Sequence, residues 1–172
     1  IIGCGGVGLN CLYAAKLSNA HPIVGIDSSI EKELLINKNG GEFFHSKEIS
    51  SLGGKYAKFD CIIDTTGDMD LVSEAIPLLS ERGRCILVSQ PLPNSIFKIK
   101  NPIGFFSTNG QCIKTTQAGG FDPDTDIQRY LKLQDKIELK NIITDRFNLN
   151  EINIAIEKLK TGTAGRILIR IC

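Results

Sequence analysis

Short aliphatic runs alternate along the chain with segments of helical periodicity, and this alternation is the feature that most limits the fold. The aliphatic runs lie at residues 1–2, 23–27, 59–64, 84–88, 111–115 and 166–171, with a weaker one at 42–44. Continuous aliphatic runs are typical of strands that are buried on both faces, and parallel strands need helical crossovers between them. The pattern therefore predicts an α/β chain with helices on both faces of a parallel sheet. The first strand of that sheet, residues 1–2, is truncated.

Capping residues predict where the helices begin and end. The predicted starts are Gly6, the capping-box sequence at 28–31, Asp68, Asp122-Pro123 and the Asn148/Glu151 pair. Side-chain oxygens at these positions can accept hydrogen bonds from the free N–H groups of a first turn. Gly40 and Gly162 predict two ends, and Pro77 predicts a kink or early stop because it lacks an N–H. Residues 91–106 contain three prolines and are expected to be irregular.

Apolar positions at helical spacing predict the buried faces. In the first helix the expected face is Val7, Cys11, Ala14 and Ala15. The stripes expected in the later helices are Val72, Ala75, Ile76 and Leu79, then Ile127, Tyr130 and Leu131, then Ile152, Ala155, Ile156 and Leu159. Such spacing places side chains on one side of a helix.

Composition excludes several classes of protein. The chain has 172 residues, of which 42% are apolar, and its net charge is +1. This length suits about one domain and a buried core, and the apolar fraction excludes intrinsic disorder. The small net charge argues against a nucleic-acid or acidic-membrane partner, and no apolar run reaches the roughly 20 residues of a membrane span.

Cysteine and histidine usage predicts neither a disulfide framework nor a metal site in this chain. The six cysteines are scattered, and the two histidines have no second ligand-type residue at metal spacing. Cys61 and Cys85 lie in aliphatic runs and are expected to be small buried apolar residues. Scattered cysteines favour a reducing, cytoplasmic setting.

A glycine-rich segment opens the chain between the strand remnant and the first helix. It contains Gly3, Gly5, Gly6, Val7 and Gly8 in the pattern GxGxxG. Gly3 would permit a tight turn, Gly5 would let the backbone approach a pyrophosphate, and Gly8 would let helix and strand pack closely. The helix N-terminus would then present free N–H groups to the phosphates. This context predicts a dinucleotide site.

Asp27 is the expected acidic partner of the glycine loop. It follows Gly8 by 19 residues and ends the second aliphatic run. At this spacing a carboxylate meets the adenosine ribose hydroxyls of a dinucleotide, and it repels a 2′-phosphate. NAD is therefore favoured over NADP. Lys32 lies one helical turn further on and is expected to reach the same ribose, although a solvated helix lysine is an equal alternative.

The chain resembles the nucleotide-binding half of the zinc-type alcohol dehydrogenases, within the medium-chain dehydrogenase/reductase superfamily. The resemblance covers nearly the whole chain. It rests on GCGGVGL, VGIDSS, FDCIIDTTG, GRCILV and the closing LNEINIAIEKLKTGTAGRILIRI. It implies a Rossmann fold, a doubly wound parallel sheet, and hydride transfer between an alcohol or polyol and NAD.

The resemblance also implies further cofactor-binding residues. Thr65, Thr66 and Gly67 would lie against the adenine and the cofactor ribose, and Val88, Ser89 and Gln90 would back the nicotinamide. Arg166 would contact the pyrophosphate. From the residues alone, an exposed arginine at a strand end and ordinary β-branched strand residues remain open alternatives.

The resemblance implies that the catalytic machinery is supplied outside these residues. In the family, zinc, its ligands and the proton relay come from an N-terminal domain, so we expect no catalytic or metal-binding residue here and an inactive isolated piece of a longer protein. Residues 1–117 would be the NAD-binding domain, and residues 118–172 would pack toward the catalytic domain. The run at 111–115 is the sheet edge that pairs in the family's homodimers.

Three alternatives stay open at this stage. A zinc-independent quinone or enoyl reductase of the same superfamily would use NADPH and usually has small and basic residues where Asp27 and Ser28 stand. An S-adenosylmethionine methyltransferase also pairs a glycine loop with an acidic strand end, but it has an acidic residue at the position of Ile1. A non-catalytic NAD-binding module is the third.

Overall fold

A parallel sheet, interrupted in its middle, forms the centre of the protein. We describe it from a computed structural model that covers residues 1–133 and 139–171. The strands are β1 (Val24–Asp27), β2 (Glu42–His45), β3 (Phe59–Asp64), β4 (Leu79–Leu87), β5 (Cys112–Thr115), β6 (Ile143–Asn148) and β7 (Arg166–Arg170). The helices are α1 (Gly6–Leu17), α2 (Glu33–Lys38), α3 (Leu52–Lys55), α4 (Met69–Ala75), α5 (Pro102–Ser107), α6 (Pro123–Leu131) and α7 (Ile152–Lys160).

Ile2 joins the two halves of the main sheet. On one side β1 pairs with β2, and on the other β3 pairs with β4 and β4 with β5, all in parallel. Ile2 forms parallel bridges to Ile26 of β1 and to Asp64 of β3. Counted with this remnant as the first strand, the order is 3-2-1-4-5-6, the Rossmann order. The predicted parallel sheet of Rossmann type is confirmed.

The strand order reverses at Ile2, between β1 and β3. In open α/β sheets, ligands bind outside the carboxyl ends of the strands at such a switch point. Helices cover both sides of this region: one buried cluster contains Leu9, Leu12 and Ile36 from α1 and α2, and another contains Leu52 and Val72 from α3 and α4.

Most predicted helix ends are confirmed, with two differences. Asp68 and Asp122 cap α4 and α6, and Asn148 with Glu151 forms a capping box before α7. The expected capping box at 28–31 is wrong: Ser29 makes no side-chain cap, and a 3-10 turn precedes α2. Residues 91–106 are irregular only in part, because Asn101 caps α5.

The expected buried face of α1 is wrong. The buried residues are Gly8, Leu9, Leu12 and Tyr13, whereas Val7 is 44% exposed. This helix is apolar nearly all round, so periodicity could not distinguish the side that faces the sheet. Leu79 is buried as expected, but it begins β4, because the helix stops before Pro77.

The apolar stripes of the last two helices face away from the described core. Ile127, Tyr130 and Leu131 on α6 are exposed, as are Ile152, Ile156 and Leu159 on α7, where Ala155 is buried. Strand β6, which the aliphatic pattern missed, pairs in parallel with β7, and α7 connects the two strands. Its alternating sequence ITDRFN has one polar face, so it does not read as a continuous apolar run.

A cavity of about 580 Å³ lies beside Ile1, between the first halves of β1 and β3. Its lining includes Val24, Phe59 and Cys61 from the strands and Cys11 from α1. Cys61, expected to be buried, is exposed here, whereas Cys85 is fully buried as expected.

In the described part of the chain, no helix has both the length and the apolarity that a bilayer crossing requires.

Candidate functional site

The glycine loop turns tightly out of the sheet into α1. Gly3 has φ +83° and donates its N–H to the carbonyl oxygen of Ile26 at 2.8 Å. A Cβ on Gly8 would lie 1.8 Å from the carbonyl oxygen of Gly3, so only glycine permits this helix–strand approach. A Cβ on Gly5 would meet nothing within 4 Å. Gly5 therefore borders open space at the beginning of the helix.

The N-terminus of α1 has no side-chain cap. Its N-cap is Gly5, which has no side chain to accept from the first turn, and the first turn has no acidic residue. Val7 is partly exposed beside it. The free N–H groups and the positive end of the helix dipole therefore face the open space, an arrangement that suits a phosphate.

Asp27 ties the end of β1 to the glycine loop. One carboxylate oxygen accepts from the Cys4 N–H at 2.8 Å, and the other accepts from the Ser29 N–H at 3.0 Å. Each oxygen keeps a second lone pair that can accept from a ribose hydroxyl. The Asp27 side chain is thus held at the loop, half-buried, as the spacing predicts.

Thr65, Thr66 and Gly67 follow β3 at the same edge of the sheet. The Thr65 hydroxyl donates to the carbonyl oxygen of Gly3 at 2.8 Å, which joins this segment to the glycine loop. Gly67 has φ +74°, and a Cβ there would lie 2.6 Å from the carbonyl oxygen of Gln90. This glycine lets two strand ends come together.

Asp64 holds this segment in place through hydrogen bonds, and the sequence patterns did not identify it as a site residue. It is fully buried, and its carboxylate accepts from the N–H and hydroxyl of Thr66, at 3.0 and 2.6 Å, and from the Gly67 N–H at 3.0 Å. A carboxylate at the end of an aliphatic run was the available signal, because an acidic residue is buried only where donors surround it.

Val88, Ser89 and Gln90 follow β4 and lie beside the Thr65 segment. The Val88 N–H donates to the Asp64 carbonyl oxygen at 2.9 Å, and the Ser89 hydroxyl donates to the Thr65 carbonyl oxygen at 2.7 Å. The ends of β1, β3 and β4 and the glycine loop are therefore joined into one edge.

Arg166, at the start of β7, lies across the first turn of α1. A Cβ on Gly6 would be 2.5 Å from the Arg166 Nε, so Gly6 provides the room for this side chain. The chain thus brings a guanidinium and a helix N-terminus together, and both attract anions.

Lys32 takes a different position from the other predicted residues. Its side chain is 1% exposed, and its ammonium donates to the carbonyl oxygen of Ala164. Burial lowers the pKa of the Lys32 ammonium, and the nearby Asp27 carboxylate opposes that shift. Its predicted contact with a ribose remains a prediction.

The described residues include no metal-binding cluster. Burial raises the pKa of the Cys4 thiol to about 12, and a thiol with so high a pKa forms little nucleophilic thiolate at neutral pH. Within residues 1–133 and 139–171, no three His, Cys, Asp or Glu side chains come together to hold a metal ion. The glycine turn, the carboxylate of Asp27 and the guanidinium of Arg166 together suit the chemical groups of a dinucleotide.

Comparisons with known proteins agree with this architecture. The chain is 29% identical over 184 residues to alcohol dehydrogenase 2 of Oryza sativa subsp. japonica, and 28% identical over 182 residues to alcohol dehydrogenase 1 of Trifolium repens. Each match covers 99% of this chain and 47% of the relative. The chain therefore spans about half the length of the curated relatives it matches.

Solved structures share the fold. An alcohol dehydrogenase zinc-binding domain protein from Burkholderia ambifaria has a TM-score of 0.88 at 22% identity, covering 99% of this chain and 47% of its own. Benzyl alcohol dehydrogenase from Acinetobacter calcoaceticus also has a TM-score of 0.88, at 21% identity, with coverages of 99% and 48%. A short chain alcohol dehydrogenase from E. coli CFT073, solved with its cofactor NADH, has a TM-score of 0.83 at 17% identity. This match covers 99% of the present chain and 51% of the E. coli chain.

A family model described as zinc-binding dehydrogenase matches residues 6–134, three quarters of the chain. The match begins within the glycine loop and runs through the strands whose ends form the site. By this match and by its Rossmann order, the chain belongs to the zinc-binding dehydrogenase family.

Proposed function

We propose that this chain is the NAD-binding portion of an oxidoreductase that transfers hydride between an alcohol or polyol and NAD. The observation that carries the proposal is the convergence of Asp27, the bare α1 N-terminus and Arg166 at the switch point of the sheet. The carboxylate suits a ribose, and the other two suit a pyrophosphate. The bound nicotinamide would accept or supply the hydride at its C4.

The remaining site residues complete the proposed cofactor position. Thr65, Thr66 and Gly67 would contact the adenine and its ribose, and Val88, Ser89 and Gln90 would back the nicotinamide. Their support is the hydrogen-bonded edge that joins them to the glycine loop. Lys32, whose buried ammonium is close to the Asp27 carboxylate, would contact the adenosine ribose.

We propose that zinc in the full-length protein is held by residues outside this chain. The described residues hold no suitable ligand cluster, so no step of the reaction is assigned to a metal here. We propose that residues 1–117 form the NAD-binding domain and that residues 118–172 pack toward a catalytic domain. The exposed apolar side chains of α7, Ile152, Ile156 and Leu159, support this packing.

The alternatives receive less support. The curated relatives quoted above are named alcohol dehydrogenases, which favours that activity over a quinone reductase or a methyltransferase. Asp27 at the end of β1 also disfavours the 2′-phosphate of NADPH. A homodimer through the β5 edge, a small-molecule alcohol substrate and a cytoplasmic location are parts of the same proposal.

Replacing Asp27 tests the cofactor assignment. We expect Asp27→Ala to weaken NADH binding about tenfold or more, because hydrogen bonds to a charged group contribute about 1.5–3 kcal/mol each. NADPH affinity is expected to stay the same or to rise, because the repulsion of its 2′-phosphate is removed. Titration calorimetry with both cofactors measures the ratio, and unchanged affinities for both would contradict the assignment.

Two further variants control for damage to the loop. Asp27→Asn removes the charge but keeps an acceptor oxygen for the N–H of Cys4 or Ser29. We expect its melting temperature to be closer to that of the unmodified chain than the melting temperature of Asp27→Ala is. We also expect it to lose the preference for NADH over NADPH. Glu81→Ala removes an exposed carboxylate from the other end of β4 and should leave both affinities unchanged.

A further inference from the structure

The peptide unit between Gly3 and Cys4 is held by hydrogen bonds at both of its ends. Its carbonyl oxygen, on Gly3, accepts from the Thr65 hydroxyl at 2.8 Å. Its N–H, on Cys4, donates to an Asp27 carboxylate oxygen at 2.8 Å. A trans peptide is planar and its C=O and N–H groups point in opposite directions, so the two bonds together fix the rotation of this unit.

The sheet places the two partners on opposite sides of the glycine loop. Ile2 bridges both neighbouring strands, at the residue before Asp27 on one side and at the residue before Thr65 on the other. The Thr65 N–H also donates to the carbonyl oxygen of Ile2 at 2.8 Å. Thr65 therefore binds the carbonyl groups of Ile2 and Gly3, the two residues at which the chain leaves the sheet.

The same peptide unit lies against the beginning of α1. A Cβ on Gly8 would lie 1.8 Å from the Gly3 carbonyl oxygen, so the first turns of the helix pack directly against that oxygen. Gly3 has φ +83° and no side chain to restrict its rotation. A rotation of the unit would press the oxygen on the helix at one end and withdraw the Cys4 N–H from Asp27 at the other.

Thr65 is thus linked to both of the groups that the site offers to a dinucleotide. We propose that Thr65 is a positioning residue: its hydroxyl holds the Gly3–Cys4 peptide so that the Asp27 carboxylate and the first turn of α1 face one ligand. This inference rests on the proposed function, and it adds a role in the free protein to the cofactor contact proposed above for Thr65.

Amide hydrogen exchange in the free protein tests this role without any ligand. We expect Thr65→Val, which keeps the shape of the side chain and removes the hydroxyl, to speed exchange of the Cys4 N–H at least about tenfold. Thr65→Ser restores a hydroxyl and should keep that rate within about threefold of the unmodified chain. Unchanged Cys4 exchange in Thr65→Val would overturn the proposal.

Thr108→Val is the matched control. The Thr108 hydroxyl donates to the Gly104 carbonyl oxygen at 2.7 Å, at the end of α5 and before β5 begins. The change therefore removes a bond of the same kind near the opposite edge of the sheet. It should lower the melting temperature about as much as Thr65→Val does and leave Cys4 exchange unchanged. Equally faster exchange in both variants would indicate a general loss of stability and would overturn the proposal.

A double-mutant cycle with ADP-ribose, which contains the pyrophosphate and the adenosine ribose, measures the effect on binding. By calorimetry we expect Thr65→Val to weaken binding about tenfold in the unmodified chain. In the Asp27→Ala chain the same change should weaken binding less than about threefold, because the N–H end of the peptide is already released. Losses that multiply in full would show independent roles and would overturn the proposal.

The exchange and binding measurements separate the two proposals. If the unmodified chain did not bind ADP-ribose, the proposed function would fail, while exchange of the Cys4 N–H would still decide the role of Thr65.

Thr65→Ala provides a second variant if Thr65→Val does not fold. The valine methyl group that replaces the hydroxyl would lie against the Gly3 carbonyl oxygen, whereas alanine leaves that place empty. We expect Cys4 exchange to be at least about tenfold faster again, with Thr108→Ala as the control. An unchanged rate in Thr65→Ala would overturn the proposal.

Discussion

Glycines of the opening loop differ in what they do, although the motif makes them look equivalent. Position 8 must be glycine because any Cβ there would lie 1.8 Å from the carbonyl oxygen of Gly3. That oxygen belongs to the backbone next to the strand and cannot move independently. Gly5 is not required by contact, and its φ of −74° is open to any residue. Its place in the site is explained by the open space that it borders.

Alanine substitutions should separate these two roles. We expect Gly8→Ala to lower the free energy of unfolding by at least about 3 kcal/mol, because the helix must move away from the strand. Gly5→Ala should cost about 1 kcal/mol or less, the difference between these residues at an N-cap. It should still weaken NADH binding about tenfold, because its methyl group enters the space proposed for the pyrophosphate.

Urea unfolding and NADH titration of the same two proteins provide the comparison. Equal loss of stability in both variants would contradict the distinction between contact and open space. Full NADH affinity in Gly5→Ala would place the pyrophosphate elsewhere.

At the scale of elements, Ile2 occupies the centre of the main sheet. Ile2 bridges both neighbours, and the Ile1 ammonium donates to the Val24 carbonyl oxygen at 2.8 Å. Next to Ile1, the cavity of about 580 Å³ separates β1 from β3, and it is lined mainly by apolar side chains. An extended apolar segment matches both the shape and the chemistry of this space.

Filling that space should stabilise the domain. We expect a Val-Thr-Val-Val extension before Ile1 to raise the free energy of unfolding by about 2 kcal/mol, because its apolar burial exceeds the cost of ordering the backbone. A Gly-Ser-Gly-Ser extension of equal length is the control and should give no increase. Thermal unfolding measures both proteins. Equal melting temperatures would mean that the cavity does not accept a strand.

Helices α6 and α7 show how far an apolar stripe can be interpreted. Their stripes were recognised correctly as one-sided, yet most of their apolar side chains are exposed. Periodicity identifies which face of a helix is apolar. It does not identify the part of the protein that packs against that face. These faces are therefore consistent with the packing proposed for residues 118–172.

At the scale of the whole molecule, β5 leaves one edge of the main sheet open. Within the described residues, β5 pairs with β4 alone. Nearby in sequence, α5 exposes Ile103 and Phe106, the latter at 92%. An open edge beside exposed apolar side chains favours pairing with a second copy across a two-fold axis.

Light scattering coupled to size exclusion tests the dimer. We expect the full-length protein to have twice the mass of one chain, because pairing of two β5 edges satisfies backbone groups that are otherwise left to water. Measurement over a range of concentrations separates a stable dimer from weak association. A monomer throughout would exclude pairing through this edge.

Some of this structure was determined by local sequence. The aliphatic runs indicated the parallel strands of the main sheet, because strands buried on both faces must be apolar throughout. The spacing from Gly8 to Asp27 indicated that the loop and the carboxylate meet, because one helix and one strand span that interval. The caps at Asp68, Asp122 and Asn148 were also readable, since a cap acts on the residues next to it.

Tertiary structure alone decided the features that join distant parts of the chain. The buried side of α1, the polar-faced strand β6 and the carboxylate contacts of Asp64 depend on neighbours that no local pattern specifies. Lys32 is a further example: its burial and the bond from its ammonium to the Ala164 carbonyl oxygen, 132 residues away, depend on a segment that its local sequence does not specify. Burial can hold a charged group only where a partner is supplied, and that partner comes from the fold.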